Sequence, residues 1–281
     1  MSIREISAAE ITAAVEQRVI DANYDLPEDV RAALEKAQQE EQSELCKGII
    51  GDILKNADIA AERQQPICQD TGLAIFFVEL GQDVHINGNL ADAVNAGVKK
   101  GYGEGFLRKS VVRDPLDRVN TGDNTPAMLY TDIVPGDQVK ITVAPTGFGS
   151  ENMSQLKMLK PSDGLQGVKD FVIKVVEEAG PNPCPPIVVG VGVGGTFDKA
   201  ALLAKKAIIR SAEERNPNPF YAELEAELLE KVNALGIGPQ GFGGKTTALA
   251  VNIEYLPTHI AGLPVAVNLN CHVTRHKSEV L

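Results

Sequence analysis

A chain of 281 residues with 43% hydrophobic and 23% charged side chains can build a sizeable core and does not have the composition of a disordered protein. Its 27 Lys and Arg against 38 Asp and Glu leave a formal charge of −11, which argues against nucleic acid or an anionic membrane as the main partner. Trp is absent and aromatics reach only 5%, which also argues against a stacking platform for single strands.

The N-terminal stretch MSIREISAAEITAAVEQRVIDANYDL has no apolar run of the kind a signal peptide or membrane span needs. It is also not the Arg-rich, acid-poor pattern of a transit peptide. A cytoplasmic location is the expectation, where thiols stay reduced. Cys46, Cys68, Cys184 and Cys271 are then buried thiols, metal ligands or nucleophiles rather than a disulfide framework.

Residues 1–64 read as mainly helical. Ser7, with Glu10 three residues on, forms a capping box ahead of Ile11, Val15 and Val19. Pro27 suits a first helical position, and Val30, Ala33, Leu34 and Ala37 follow at helical spacing. Leu45, Ile49, Ile50, Ile53 and Leu54 form a third apolar stripe. From about residue 65 the pattern changes to short β-rich runs at 73–80, 137–145, 185–193 and 263–270. Helical stretches at 90–100, 164–179, 198–214 and 220–234 alternate with them, and NPNPF at 216–220 breaks the last two apart. The expected fold is α/β or α+β, a helical N-terminal segment followed by a mixed sheet with flanking helices. Residues 1–281 are expected to be one catalytic domain, with 65–281 as its mixed α/β part. No internal repeat is visible.

Two Gly-rich segments invite a nucleotide reading. Gly190, Gly192 and Gly195 fit GxGxxG between a strand-like run and a helix. The acidic strand end expected roughly 20 residues later is missing, which weighs against a dinucleotide-binding oxidoreductase; a tight strand-to-helix turn is the plainer account. GPQGFGGKTT (238–247) misses the phosphate-loop spacing by one position and reads as a Gly-rich loop with backbone donors.

The cysteines say more. Cys68 in PICQDTG and Cys184 in NPCPP each precede a strand, and Cys271 in LNCHVTRH follows one. Open α/β sheets place their sites at such strand ends. No CxxC is present, so the pattern is not a zinc ribbon or a ferredoxin run; a zinc-binding scaffold is a further alternative. Cys46 lies on a helix and reads as a structural thiol. Three widely spaced thiolates suit an iron–sulfur cluster with one iron lacking a protein ligand, and such an iron is a Lewis acid for hydro-lyase chemistry.

PICQDTG, NTGDNTPA, GSEN, NPCPP and NCHVTRH, in that order, resemble the class I iron–sulfur fumarate hydratases from about residue 40 onward. The resemblance is strongest to the α subunit of the two-subunit type, an arrangement shared with L-tartrate dehydratase. It implies a 4Fe–4S cluster on Cys68, Cys184 and Cys271. It also implies reversible hydration of fumarate to (S)-malate, a step of the tricarboxylic acid cycle. Asp70 is implied as the acid/base residue, although an Asp before Thr-Gly is also the mark of an Asx turn. His259 is implied as a second active-site residue, with His272 and His276 as alternatives. Arg108 is implied as binding the small dicarboxylate, Arg being suited to a bidentate fork; by their own chemistry Gln69 can hydrogen-bond a carboxylate, and the Gly149 and Ser150 backbone can offer donors to the other. Many relatives have Lys and more Gly where this chain reads PTGFGSEN. The resemblance further implies a separate β subunit, with αβ units pairing into α2β2. L-Tartrate is the alternative substrate.

Overall fold

The computed structural model describes residues 3–281. In chain order its elements are β1 (Arg4–Ser7), α1 (Ala8–Tyr24), α2 (Glu28–Glu40), α3 (Glu44–Arg63), β2 (Leu73–Gly81), β3 (Val84–Asn87), α4 (Leu90–Glu104), β4 (Met128–Val134) and β5 (Val139–Thr146). There follow α5 (Phe148–Glu151), β6 (Gln155–Leu159), α6 (Gly164–Ala179), β7 (Ile187–Gly195), α7 (Phe197–Ala207), α8 (Pro219–Asn233), β8 (Ala248–Thr258), β9 (Leu263–Asn270) and β10 (Lys277–Val280). The fold class is α/β, as the alternation of strand and helix patterns led one to expect. The chain divides into two compact units. One comprises the N-terminal segment to Pro27, Ala57–Phe148 and Arg275–Leu281; the other comprises Glu28–Asn56 and Gly149–Thr274.

The first unit is built on a sheet of order β10-β5-β2-β4, in which β2 runs parallel to β4 and antiparallel to β5. The capping box is present: Glu10 N donates to Ser7 Oγ, and Ser7 N donates back to the Glu10 carboxylate. That start aligns Ile11, Val15 and Val19 on one fully buried face of α1. They meet Phe76 of β2, Ile141 and Val143 of β5, and Val98 and Tyr102 of α4 in one apolar core.

The second unit has a sheet of order β6-β9-β7-β8, with β7 parallel to β8 and antiparallel to β9. Its strand directions repeat those of the first sheet: a central strand, a parallel neighbour on one side, and an antiparallel pair on the other. This topological repeat leaves no trace in the sequence, because a pattern of strand directions constrains polarity and length rather than identity. It fixes which loops meet. Leu73 pairs with Thr146, and Val188 pairs with Asn270. The loop entering each central strand therefore lies beside the loop leaving its antiparallel neighbour. On one face of the second sheet Phe171, Val172 and Val175 of α6 and Leu228 and Val232 of α8 cover Val189 and Val191.

Gly190 and Gly192 lie within β7, where α7 crosses. A Cβ at Gly192 would stand 2.1 Å from Ala200 O, and one at Gly190 would stand 2.3 Å from Ala204 O. Their spacing therefore serves helix–strand packing rather than a phosphate turn. α7 stops at Ala207, short of the expected 214, where the buried Asn252 side chain donates to the carbonyls of Ala207 and Arg210, 3.1 Å each. Pro27 lies just before α2 rather than inside it. The buried face of α3 runs through Cys46, Ile50 and Leu54, leaving Leu45 60% exposed. Among the described residues no helix is long and apolar enough to cross a membrane.

The Gly-rich 238–247 loop spends its donors internally. Lys245 N (2.8 Å) and Thr246 N (3.4 Å) donate to one oxygen of the Glu41 carboxylate, and Gln42 N and Ser43 N donate to the other. Glu41 is only 3% exposed. Burial opposes its charge, but these four backbone N–H groups outweigh it and hold the carboxyl below its ordinary value of 4.5. A depressed carboxyl stabilises the fold above its unfolded pKa and loses that contribution as pH falls through the folded value. Glu41→Gln is expected to cost about 1–3 kcal/mol at pH 7. The gap in urea midpoint should be full above about pH 5 and narrow below 4.5. A gap that is constant down to about pH 3 contradicts this.

Candidate functional site

In the first unit the segment before β2 is fixed almost wholly by hydrogen bonds to its backbone. Cys68 is partly exposed, and its thiol donates to Gln69 Oε1 at 3.3 Å. Asp70 does form the Asx turn, with Gly72 N donating to Oδ1 at 3.0 Å. Its other oxygen accepts from Phe148 N at 2.9 Å, in the loop leaving β5. Gly147 makes this approach possible, since a Cβ there would press on Asp70 Oδ2 at 3.1 Å.

Behind Asp70, Thr71 Oγ1 accepts from Arg108 N (2.9 Å) and donates to Arg108 O (3.2 Å). Arg108 is thereby tied to the same loop while its side chain is exposed. The buried Tyr102 hydroxyl donates to the carbonyls of Thr71 and Gly72, and burial pushes its pKa up. Asn124, in NTGDNTPA, donates to Gly72 O and accepts from Ser110 N and Val111 N. Arg275, from NCHVTRH, donates to the Asp70 carbonyl at 2.5 Å. Of the other cations in 108–118, Arg113 pairs with Asp117, and Arg118 donates to Pro115 O.

In the second unit the loops that carry Cys184 and Cys271 lie side by side at one end of the sheet. Cys184 is exposed and has φ of 55°, a left-handed conformation that costs a non-Gly residue about 1 kcal/mol or more. The turn is pinned by its neighbours. His272 N donates to Cys184 O at 3.3 Å, and His272 Nδ1 lies 2.9 Å from the same oxygen and 3.2 Å from Gln240 Nε2. Gln240 donates to Pro185 O from both its backbone N and its side chain, 2.7 Å each. Thr274 Oγ1 donates to Cys271 O at 2.8 Å.

The GSEN segment is held to the same sheet. Glu151 accepts from Lys205 Nζ at 2.5 Å and from Asn268 Nδ2 at 2.8 Å. Burial pulls the Lys205 ammonium down against the pull of Glu151. Gly149 is exposed, and a Cβ on it would find its nearest neighbour, Asn182 O, at 3.9 Å.

His259 is placed elsewhere. It follows Thr258, which pairs with Gly195 at the far end of β7, whereas Cys271 follows Asn270, which pairs with Val188 at the near end. At ~3.3 Å per residue the two ends of that strand are roughly 23 Å apart. His259 is exposed in the β8–β9 turn, where its Nδ1 accepts from Ala261 N. The sheet thus does not bring His259 to Cys184 and Cys271; the histidine it does bring there is His272. Sequence reading also passed over Thr71, Tyr102, Asn124 and Gln240 as positioning residues. Thr71 and Asn124 lie inside the motifs, as does Arg275, which was the available signal.

Cys46 is fully buried, with its thiol donating to Gly243 O at 3.1 Å. No disulfide joins the cysteines among the described residues. Nor do three His, Cys, Asp or Glu side chains among them converge on the position of a single metal ion. Thiolates that ligate different irons of one cluster need no such common point. Three partly or fully exposed thiols on strand-end loops are the soft donors an iron–sulfur group takes, and the chemistry of the donor set fits it.

Residues 12–280 match the protein family described as Fumarate hydratase (Fumerase). The "Putative L(+)-tartrate dehydratase subunit alpha" of Methanocaldococcus jannaschii is 47% identical over 257 residues, covering 89% of this chain and 90% of that protein. The L(+)-tartrate dehydratase subunit alpha of Escherichia coli (strain K12) is 37% identical over 254 residues, covering 89% and 84%. With a match that runs through both units and takes in all five motifs, the chain belongs to the fumarate hydratase (Fumerase) family of hydro-lyases.

Proposed function

We propose that this chain is the α subunit of a cytoplasmic iron–sulfur hydro-lyase that interconverts fumarate and (S)-malate, with Cys68, Cys184 and Cys271 as the cluster ligands. When bound, a 4Fe–4S cluster supplies a Lewis-acidic iron that polarises a carbon–oxygen bond. The observation that carries the reading is the loop in which a thiol, an amide and a carboxylate follow one another at Cys68, Gln69 and Asp70, with Arg108 tied to it through Thr71. Asp70 exchanges the substrate proton at its carboxylate, which two backbone N–H groups aim. Arg108 receives one substrate carboxylate in a fork, Gln69 hydrogen-bonds it, and Gly149 offers its backbone N–H to the other. No role is proposed for His259 at the Cys184–Cys271 end.

The name "subunit alpha" carried by the relatives supports a β subunit as partner, with αβ units pairing into α2β2. A second reading, dehydration of L(+)-tartrate, is favoured by the rest of those same names. The test is turnover of malate and L-tartrate in competition by the α chain co-expressed with its β partner and purified without oxygen. Higher kcat/KM for malate is expected. Higher kcat/KM for L-tartrate moves the assignment to the second reading, and turnover of neither overturns both.

A further inference from the structure

We infer that Arg275 is the positioning residue of Asp70, an inference that rests on the proposed role of Asp70 in proton transfer. Arg275 is only 3% exposed, and Nη2 donates to the Asp70 carbonyl at 2.5 Å. Its Nε and Nη1 are buried without a hydrogen-bond partner among the described residues. A buried cation with two unmade donors destabilises a fold, so stability alone does not account for this guanidinium. Its one bond holds the peptide of the residue whose carboxylate is already aimed by Gly72 N and Phe148 N. Tyr102 and Asn124 fasten the carbonyls of residues 71 and 72, and the Thr71 side chain is tied to the Arg108 backbone. The bond from Arg275 is the one on the Asp70 peptide oxygen, and it comes from the segment that runs on into β10. Without it the Asp70 peptide can rotate, and the carboxylate and Cys68 move with it.

The test uses Arg275→Met, which fills the space without charge or donors, and Arg275→Lys, which restores the charge and one donor. Both are made in the α chain with its β partner, loaded anaerobically. Arg275→Met is expected to lower kcat by about 10- to 10²-fold, as a displacement near 1 Å does. KM, iron and sulfide should stay near wild type, and Tm should be unchanged or higher. Arg275→Lys should recover part of kcat. In the metal-free α chain, alkylation of Cys68 by iodoacetamide should be faster in Arg275→Met, with Cys184 unchanged. A kcat that falls only in proportion to lost folded protein or lost iron makes Arg275 structural and overturns the inference. So does unaltered Cys68 labelling with unaltered kcat. Faster Cys68 labelling with full kcat leaves the loop clamp standing and instead removes Asp70 from the chemistry.

Discussion

Asp70→Asn is expected to lower kcat by about 10²-fold or more, because a positioned general acid or base contributes roughly 10²–10⁴-fold. The geometry makes this substitution informative. Both carboxylate oxygens accept backbone N–H bonds, from Gly72 and Phe148. Asn can satisfy only one of them, since its amide nitrogen would face the other donor. The loop should nonetheless hold through Thr71, Tyr102 and Asn124, so iron and sulfide content should match wild type. A retained kcat with a raised KM would make Asp70 a binding residue rather than a proton-transfer group.

Glu225→Ala is expected to be the most damaging single change to the second unit, costing about 3–5 kcal/mol. Glu225 is fully buried on α8. Its carboxylate pairs with Arg210 and accepts from Ile253 N (2.8 Å) and Asn216 N (2.9 Å). Removing it leaves the mostly buried Arg210 short of a partner and two backbone donors with none, and an unmade buried donor costs more than the average bond contributes. Arg210 also reaches Glu254, which retains part of the charge compensation. The urea midpoint should drop sharply in Glu225→Ala and less in Glu225→Gln. A loss under about 1 kcal/mol would place the network outside the determinants of stability.

Glu225 also shows where reading the sequence stops. In FYAELEAELLEKVN it is one of several glutamates on an amphipathic helix, and a solvated face is the natural reading of all of them. Only the fold reveals that NPNPF turns back and delivers Asn216 and Arg210 to that position. Local signals survived well: Ser7 and Glu10 close their capping box, and the helix expected at 164–179 and the strand at 263–270 have those bounds. β8 went unanticipated, though it is the longest strand, because Asn252, Glu254 and Pro257 interrupt its apolar pattern. Asn252 is buried there to bond backbone carbonyls, a tertiary role that propensity cannot express.

The site was legible in the same uneven way. The motifs marked Cys68, Asp70, Cys184 and Cys271, although they are far apart in the chain, because each lies in a short run of polar and turn residues beside a strand. What fixes their loops is mostly side chain to backbone bonding from remote residues: Tyr102 and Arg275 in one unit, Gln240 and His272 in the other. His259 lay within twelve residues of Cys271 in sequence, yet the β8–β9 turn carries it to the other end of the strand pair. Nearness along an antiparallel strand is distance in space.

The most direct test of the central claim is iron and acid-labile sulfide content in the anaerobically loaded protein and in four single variants. Wild type is expected to hold about four irons per α chain, as a 4Fe–4S group requires. Cys46→Ala should hold the same, because the Cys46 thiol is buried against Gly243 O. Cys68→Ala, Cys184→Ala and Cys271→Ala should each lose the metal. Retention of full iron and sulfide by any one of those three, or equal loss from all four, would contradict the assignment.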